Sequence, residues 1–299
     1  MTSRGSVPFE FESSDFKSSS VEIGDFKWQA YDNTTKCPNV SEGSRCAIVL
    51  CLAKKENGIM LWKCMTTAAV AMKNEDKDKQ VVFAQGNSLL STKFNGFHLH
   101  WSKSSQDKAA KIAGEDARGA VLIDIYESFI TDLSNSINLL VKNEADAAKI
   151  HLGGKDLWLS KHVLRFHSAF FETMFHKRKP ADEPYMVGGT KLTEFLHFLM
   201  MIHGWDIDLS SNTLEYLLQL AEMFQCKMVM QRCEEYLRNA RVESVPLAKK
   251  LRLADTFRLH RILIETIQSS SAEELKYVPW KSELSVMARD LIDRKLSLC

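Results

Sequence analysis

A change in hydrophobic period near Ser128 restricts the fold of this chain more than any other feature of its sequence. Before Ser128, apolar residues come in short runs, and in the segment GFHLHW the apolar residues alternate with His98 and His100. Alternation is the period of a half-buried strand. After Ser128, apolar residues recur three and four positions apart, which is the period of an amphipathic helix. We therefore predict a β-rich region followed by a mainly helical one, and 299 residues suffice for two domains.

The β-rich region contains several short apolar runs separated by turn residues. CAIVLCLA and IMLWKCM flank Glu56-Asn57-Gly58, and because Asn-Gly favours a type I′ turn, we predict that these two runs pair as a hairpin. Further strands are predicted at Thr67 to Met72, Gln80 to Ala84, Gly96 to Trp101 and Ala120 to Ser128. This spacing predicts an antiparallel β-sandwich over residues 21–128. Residues 1–20 are rich in Ser and charge and are predicted to be a disordered leader.

The region after Ser128 is predicted to be helical with one small sheet. An apolar stripe predicts a helix that ends at Val141; its residues are Phe129, Ile130, Leu133, Ile137, Leu140 and Val141. AAKIHL and DLWLS flank Gly153-Gly154-Lys155 and predict a short hairpin. No glycine follows Gly204, as expected for a tail of consecutive helices.

Composition excludes some classes of protein and predicts a compartment. Lys+Arg 39 and Asp+Glu 38 give a net charge of +1, so the basic excess typical of nucleic-acid binders is missing. The longest strongly apolar stretch, Phe195 to Ile202, is far shorter than the ~20 residues of a membrane span. The first twenty residues do not have the apolar segment of a signal peptide. We therefore expect a cytosolic or nuclear protein that contacts no membrane, with its seven cysteines reduced.

The sequence shows no pattern of residues that is typical of catalysis. His98 and His100 share one face of a strand, but two ligands do not form a metal site, and a solvent-facing pair is favoured. Gly153-Gly154-Lys155 lacks the spacing of a phosphate loop. The cysteines lack C-x-x-C spacing and are interpreted as structural thiols. We predict no catalytic, cofactor-binding or metal-binding residues.

Residues 146–237 resemble a BTB/POZ domain. The resemblance is carried by Asp146, the hairpin around Gly153-Gly154-Lys155, LSKHVL, SAFFETMF, EFLHFLMMIHG and TLEYLLQLAEMFQCKMVMQRCEEYL. It implies a BTB/POZ domain over residues 129–240 and a helical C-terminal extension over residues 241–299. In that family the helix before the first strand docks on its twin, which implies a homodimer through Phe129, Ile130, Leu133, Ile137 and Leu140.

The β-rich region resembles a MATH domain through Phe26-Lys27-Trp28, CAIVLCLA, IMLWKCM, FNGFHLHWSKSS and GAVLIDIYESF. The expected fold class is therefore α+β, with a MATH/TRAF-like antiparallel β-sandwich before the α/β BTB/POZ domain. MATH followed by BTB is typical of adaptors of cullin-RING ubiquitin ligases. The resemblance implies a non-enzymatic, dimeric adaptor that holds a protein substrate on its N-terminal domain.

The resemblance also implies a surface for a cullin scaffold. Its candidate residues are Phe175, His176, Lys177, Arg178, Ile202 and Trp205. Cullin-binding members of the family often carry a hydrophobic-x-Glu motif after the helix that corresponds to SAFFETMF, whereas this sequence reads HKRKPADEP. A second hypothesis is therefore a BTB-dimer scaffold or transcriptional regulator that does not bind cullin. A third hypothesis, an enzyme that uses the N-terminal sandwich, requires a cleft of converging acid-base groups.

Overall fold

A computed structural model of the chain describes residues 2–11, 17–33, 44–54, 58–92, 95–176, 180, 183–205, 207, 209–278 and 283–298. The chain divides into two compact units, Met1–Leu140 and Val141–Cys299, which we call the N-terminal unit and the C-terminal unit. The division lies after Leu140 rather than after residue 128, because the last strand of the N-terminal unit continues past Ser128.

Two antiparallel four-stranded sheets build the N-terminal unit, with strand orders β1-β8-β5-β6 and β2-β3-β4-β7. The strands are β1 (Ser3–Pro8), β2 (Val21–Ile23), β3 (Phe26–Asp32), β4 (Ser44–Ala53), β5 (Met60–Asn74), β6 (Lys79–Ser91), β7 (Gly96–Ser102) and β8 (Arg118–Asp132). One helix, α1 (Lys103–Ala113), follows β7 and is capped by the Ser102 side chain, which accepts a hydrogen bond from the Ser105 amide. The predicted strands at Gly96 to Trp101 and Ala120 to Ser128 are confirmed.

The buried faces of both sheets contribute to one hydrophobic core. Trp28 from one sheet and Val70 from the other are fully buried in it, together with Leu90 and Ile123. Strands β3 and β4 supply six residues of this core, since alternate side chains of a strand point to the same face: Phe26, Trp28, Ala30, Ala47, Val49 and Cys51.

Two predictions for the N-terminal unit are wrong. Ser3–Pro8 of the predicted leader forms β1, which pairs with β8, and Phe9 and Phe11 are buried in the core. The predicted hairpin between CAIVLCLA and IMLWKCM does not form, because β4 lies between β3 and β7 while β5 lies between β8 and β6 in the other sheet. Glu56 and Asn57 of the expected turn lie outside the described residues.

The predicted helix from Phe129 to Val141 is also wrong. Strand β8 continues to Asp132, and Phe129 and Ile130 pair with Lys63 and Trp62 of β5. Turns follow from Leu133 onwards instead of a helix. An apolar spacing of three and four residues is therefore overridden here by ladder hydrogen bonds to a long neighbouring strand.

The C-terminal unit begins with a three-stranded sheet of order β10-β9-β11, formed by β9 (Ala147–Leu152), β10 (Lys155–Ser160) and β11 (Tyr185–Met186). Its helices are α2 (Lys161–His167), α3 (Ala169–His176), α4 (Leu192–Ile202), α5 (Ser211–Met223), α6 (Lys227–Asn239), α7 (Leu247–Thr256), α8 (His260–Ser269), α9 (Ala272–Lys276) and α10 (Val286–Ser297). The predicted helical tail is confirmed within the described residues. None of the helices in the described part of the chain has the length and apolarity needed to cross a bilayer.

Candidate functional site

The hairpin β9–β10 begins the C-terminal unit and is fixed by its glycines and by Asp146. Gly153 and Gly154 have φ values of +59° and +75°, which favour glycine and close the turn as predicted. The Asp146 carboxylate accepts hydrogen bonds from the His162 amide at 2.8 Å and the Lys142 amide at 3.2 Å. Burial acts to raise the pKa of Asp146, but these bonds and one from the Ser160 side chain hold it below its usual value. Asp146 thus ties the segment before β9 to the start of α2.

An aromatic cluster forms the centre of the C-terminal unit. The Phe224 ring, fully buried after α5, lies 5.0 Å between centroids from Phe171 and from Phe198. Ser168 links the start of α3 to the end of α5, because its hydroxyl donates a hydrogen bond to the Phe224 carbonyl and accepts one from the Phe171 amide. The cluster therefore holds α3 and α4 around the end of α5.

A pocket of about 560 Å³ opens between the ends of α2 and α4 and one face of α6. His167 and His203 line it from α2 and from the end of α4, and Arg232 and Glu235 line it from α6. The Arg232 guanidinium donates a hydrogen bond of 3.1 Å to the Trp205 carbonyl. Burial, and then the neighbouring His167, lower the pKa of His203 from 6.5 to about 4.

We expect acid to destabilise the C-terminal unit through His203. The pKa of His203 is lower in the folded chain than in the unfolded one, so the unfolded chain takes up the proton first as pH falls. The stability that neutral His203 contributes is complete above about pH 6.5 and is lost as pH falls towards about 4. The difference in pKa corresponds to a loss of about 3 kcal/mol over that window. Urea unfolding at about pH 7 and about pH 4 measures it.

The variant His203→Gln is expected to have a smaller loss of stability between these two pH values than the wild type. His162→Gln is the matched control, because His162 is an exposed histidine on the neighbouring helix α2. Equal losses in the wild type and in His203→Gln would contradict the prediction.

Three of the six residues predicted to bind cullin are buried. Phe175, Ile202 and Trp205 are buried within the C-terminal unit, and the Phe175 ring packs edge-on against Tyr185 at 4.9 Å between centroids. His176 is exposed at the end of α3, while Lys177 and Arg178 lie outside the described residues. Packing inside their own unit covers the three buried side chains, and the cullin surface stays a prediction.

The residues predicted to form the dimer interface do not share one face. Phe129 and Ile130 lie in β8, and Leu133 is fully buried, with its amide bonded to the Ile59 carbonyl at 2.8 Å. Ile137 is 85% exposed, and Leu140 is half-buried. The helical stripe expected to dock on a second copy is therefore absent, and charge introduced at Leu133 would act on the core rather than on an interface.

His98 and His100 lie exposed on β7, with their rings stacked at 6.0 Å between centroids. Sequence reasoning treated the two histidines alone and missed Cys46 on β4, which lies opposite His100 across the β4–β7 ladder. The only signal for this contact is the pairing of two alternating strands that lie far apart in the sequence.

Comparison with known proteins supports the class of the C-terminal unit. Residues 142–241 match the BTB/POZ domain family, so this part of the chain is similar to a BTB/POZ domain. A curated relative is BTB and MATH domain-containing protein 36 of Caenorhabditis elegans, which is 26% identical over 113 residues. That match covers 37% of this chain and 35% of the relative, so it spans about a third of the relative's length.

Proposed function

We propose that this chain is a non-enzymatic protein-interaction adaptor whose BTB/POZ domain assembles with a scaffold while its N-terminal unit holds a second protein. The observation that carries the proposal is the BTB/POZ match over residues 142–241. The matched residues belong to the C-terminal unit, which follows a separate β-rich unit in the sequence. BTB/POZ domains mediate contacts between proteins. Two modules of this kind on one chain are suited to bringing two proteins together.

We propose further that the N-terminal unit is a MATH-like domain. Two features support this: its two antiparallel sheets share one core, and the name of the C. elegans relative pairs BTB with MATH. Exposed edges of antiparallel sheets are suited to binding extended peptides, because the backbone of a peptide adds hydrogen bonds to a strand. The protein bound there would be a substrate of the assembled complex.

We expect the full chain to be a homodimer at micromolar concentration. Dimerisation is a general property of BTB/POZ domains, and a dimer doubles the number of substrate sites on one particle. Sedimentation equilibrium of the wild-type chain gives the mass directly. A monomer mass throughout the micromolar range would contradict this prediction. The adaptor function would then be tested through the proteins that the monomer binds.

The proposed scaffold is a cullin of a RING ubiquitin ligase. We expect the full chain and a cullin to be recovered together in equal amounts. By resemblance the contact includes the segment from His176 to Arg178, which offers cations where many relatives offer a hydrophobic-x-Glu motif. Charge reversal in Lys177→Glu with Arg178→Glu is then expected to weaken cullin binding at least ~10-fold, because charge-paired interfaces lose affinity on reversal. Calorimetry measures the change.

One observation favours the second candidate function, a BTB scaffold or transcriptional regulator that binds no cullin. Phe175, Ile202 and Trp205 are buried, so these apolar side chains are not available to a cullin. A dimeric chain that recovers no cullin would support this second function. Recovery of a cullin that is insensitive to the charge reversal would support the adaptor and exclude the cationic segment as its contact.

A further inference from the structure

Three side chains with metal-binding atoms meet on the outer face of one sheet of the N-terminal unit. On β7, the buried side chains of Leu99 and Trp101 face the core, so His98 and His100 point to the opposite face. Strand β4 is antiparallel to β7 and pairs Cys46 with His100. Cys46 therefore lies on the same face as the two histidines, although they are 52 and 54 residues away in the chain.

The distances among these side chains are close to those of a metal site. The Cys46 Sγ lies 3.3 Å from the His98 Nδ1. One nitrogen of each histidine and the Cys46 Sγ all lie within 4.8 Å of one another. A tetrahedral zinc ion with Zn–S of about 2.3 Å and Zn–N of about 2.1 Å sets its ligand atoms about 3.4–3.6 Å apart. The exposed histidines need only rotate about their side-chain bonds to reach this geometry.

We propose that Cys46, His98 and His100 bind a Zn²⁺ ion. Thiolate and imidazole are ligands that zinc prefers, and the Cys46 thiol releases its proton to solvent when the metal binds. A hydrogen bond between the Cys46 thiol and an imidazole explains the position of the His98 ring. It does not explain why the His100 ring lies stacked beside the His98 ring. Both histidines are exposed while Cys46 is buried beneath them, so the ion enters from solvent and sits over the sulfur. Three protein ligands leave the fourth position to water.

This site does not depend on the adaptor function, because it uses only residues of β4 and β7. It also differs from a Cys-His nucleophile, which needs a sulfur that a substrate can reach. Cys46 has no exposed surface. The buried sulfur with two exposed imidazoles above it suits a small ion.

Co²⁺ is a spectroscopic probe for the site in the full chain, under a reductant that contains no thiol. We expect one Co²⁺ per chain, a thiolate-to-cobalt charge-transfer band, and displacement of the Co²⁺ by one equivalent of Zn²⁺. Cys46→Ser is expected to abolish the charge-transfer band. His98→Asn and His100→Asn are each expected to weaken binding at least ~10-fold, and as exposed positions they leave the fold intact.

Matched controls separate this site from other thiols and histidines. Cys51→Ala changes a cysteine on the same strand whose side chain lies in the core, and it is expected to retain the band. A Cys37→Ala, Cys299→Ala double variant is expected to retain the band as well. Circular dichroism shows whether Cys46→Ser is folded. If it is not folded, the affinities of the two histidine variants for Co²⁺ test the site instead. Absence of Co²⁺ binding, a band that persists in folded Cys46→Ser, or unchanged affinity in both histidine variants would overturn the proposal.

Discussion

Phe224→Ala is expected to lower the free energy of unfolding of the C-terminal unit by about 3–5 kcal/mol, the usual cost of removing a fully buried phenylalanine ring. Phe224 has no exposed surface, and its ring is 5.4 Å from Phe170 and 5.6 Å from Phe195 between centroids, in addition to its contacts with Phe171 and Phe198. Removal of the ring leaves a cavity at the meeting point of three helices, which the rigid neighbouring rings cannot fill.

Hydrogen exchange measured on peptides reads the two units separately and is the measurement for Phe224→Ala. Exchange of amides in α4 and α5 is expected to become faster, while amides of β3 and β5 keep their wild-type protection. The matched control is Phe166→Ala, because Phe166 is 77% exposed on α2 and its removal should change stability by less than about 0.5 kcal/mol. A loss below about 1 kcal/mol for Phe224→Ala would contradict the assignment of Phe224 to the centre of the core.

Local sequence patterns predicted the elements whose structure depends on neighbouring residues. The hairpin β9–β10 follows from two alternating runs and a glycine turn, and both glycines have the positive φ that this turn requires. Strand β7 follows from simple alternation. By contrast, α1 was not predicted, since its sequence KSSQDKAAKIA is mostly polar and buries only Gln106, Ala109 and Ala113.

Local sequence patterns did not predict the elements whose structure depends on pairing with residues far away in the chain. The spacing of Phe129, Ile130 and Leu133 suits a helix as well as a strand end, and the pairing of β8 with β5 decides between them. The same holds for the predicted hairpin between β4 and β5, because each strand has two neighbours in its own sheet. Turn chemistry predicts a hairpin only where no better partner for either strand exists elsewhere in the chain.

The candidate sites show the same division between local and distant information. Resemblance to BTB/POZ domains placed the domain in the chain, and the match over residues 142–241 agrees with it. Resemblance did not give the exposure of individual side chains, so Phe175 and Ile202 were assigned to a surface although both are buried. The contact of Cys46 with His98 depends on the register of β4 against β7, which the sequence alone does not specify.

Gly119→Val is expected to displace the segment from Phe9 to Phe11 and to destabilise the N-terminal unit by about 3–5 kcal/mol, the cost of exposing two buried phenylalanine side chains. A Cβ atom at Gly119 would lie 2.1 Å from the Phe9 carbonyl oxygen and 2.2 Å from the Phe11 ring. The segment has little freedom to retreat, because the Phe9 amide donates to the Gly119 carbonyl at 3.0 Å and both rings pack against Trp101.

Limited proteolysis and hydrogen exchange at β1 measure this displacement, and both are expected to increase in Gly119→Val. Gly188→Ala is the control, since a Cβ at Gly188 meets nothing within 4 Å. A double-mutant cycle tests the cause: if the clash acts by expelling Phe9 and Phe11, Gly119→Val should cost much less in a chain that already carries Phe9→Ala and Phe11→Ala. A cost that is the same in both backgrounds would show that the valine acts on β8 itself, and the prediction that it acts by displacing Phe9 and Phe11 would then be wrong.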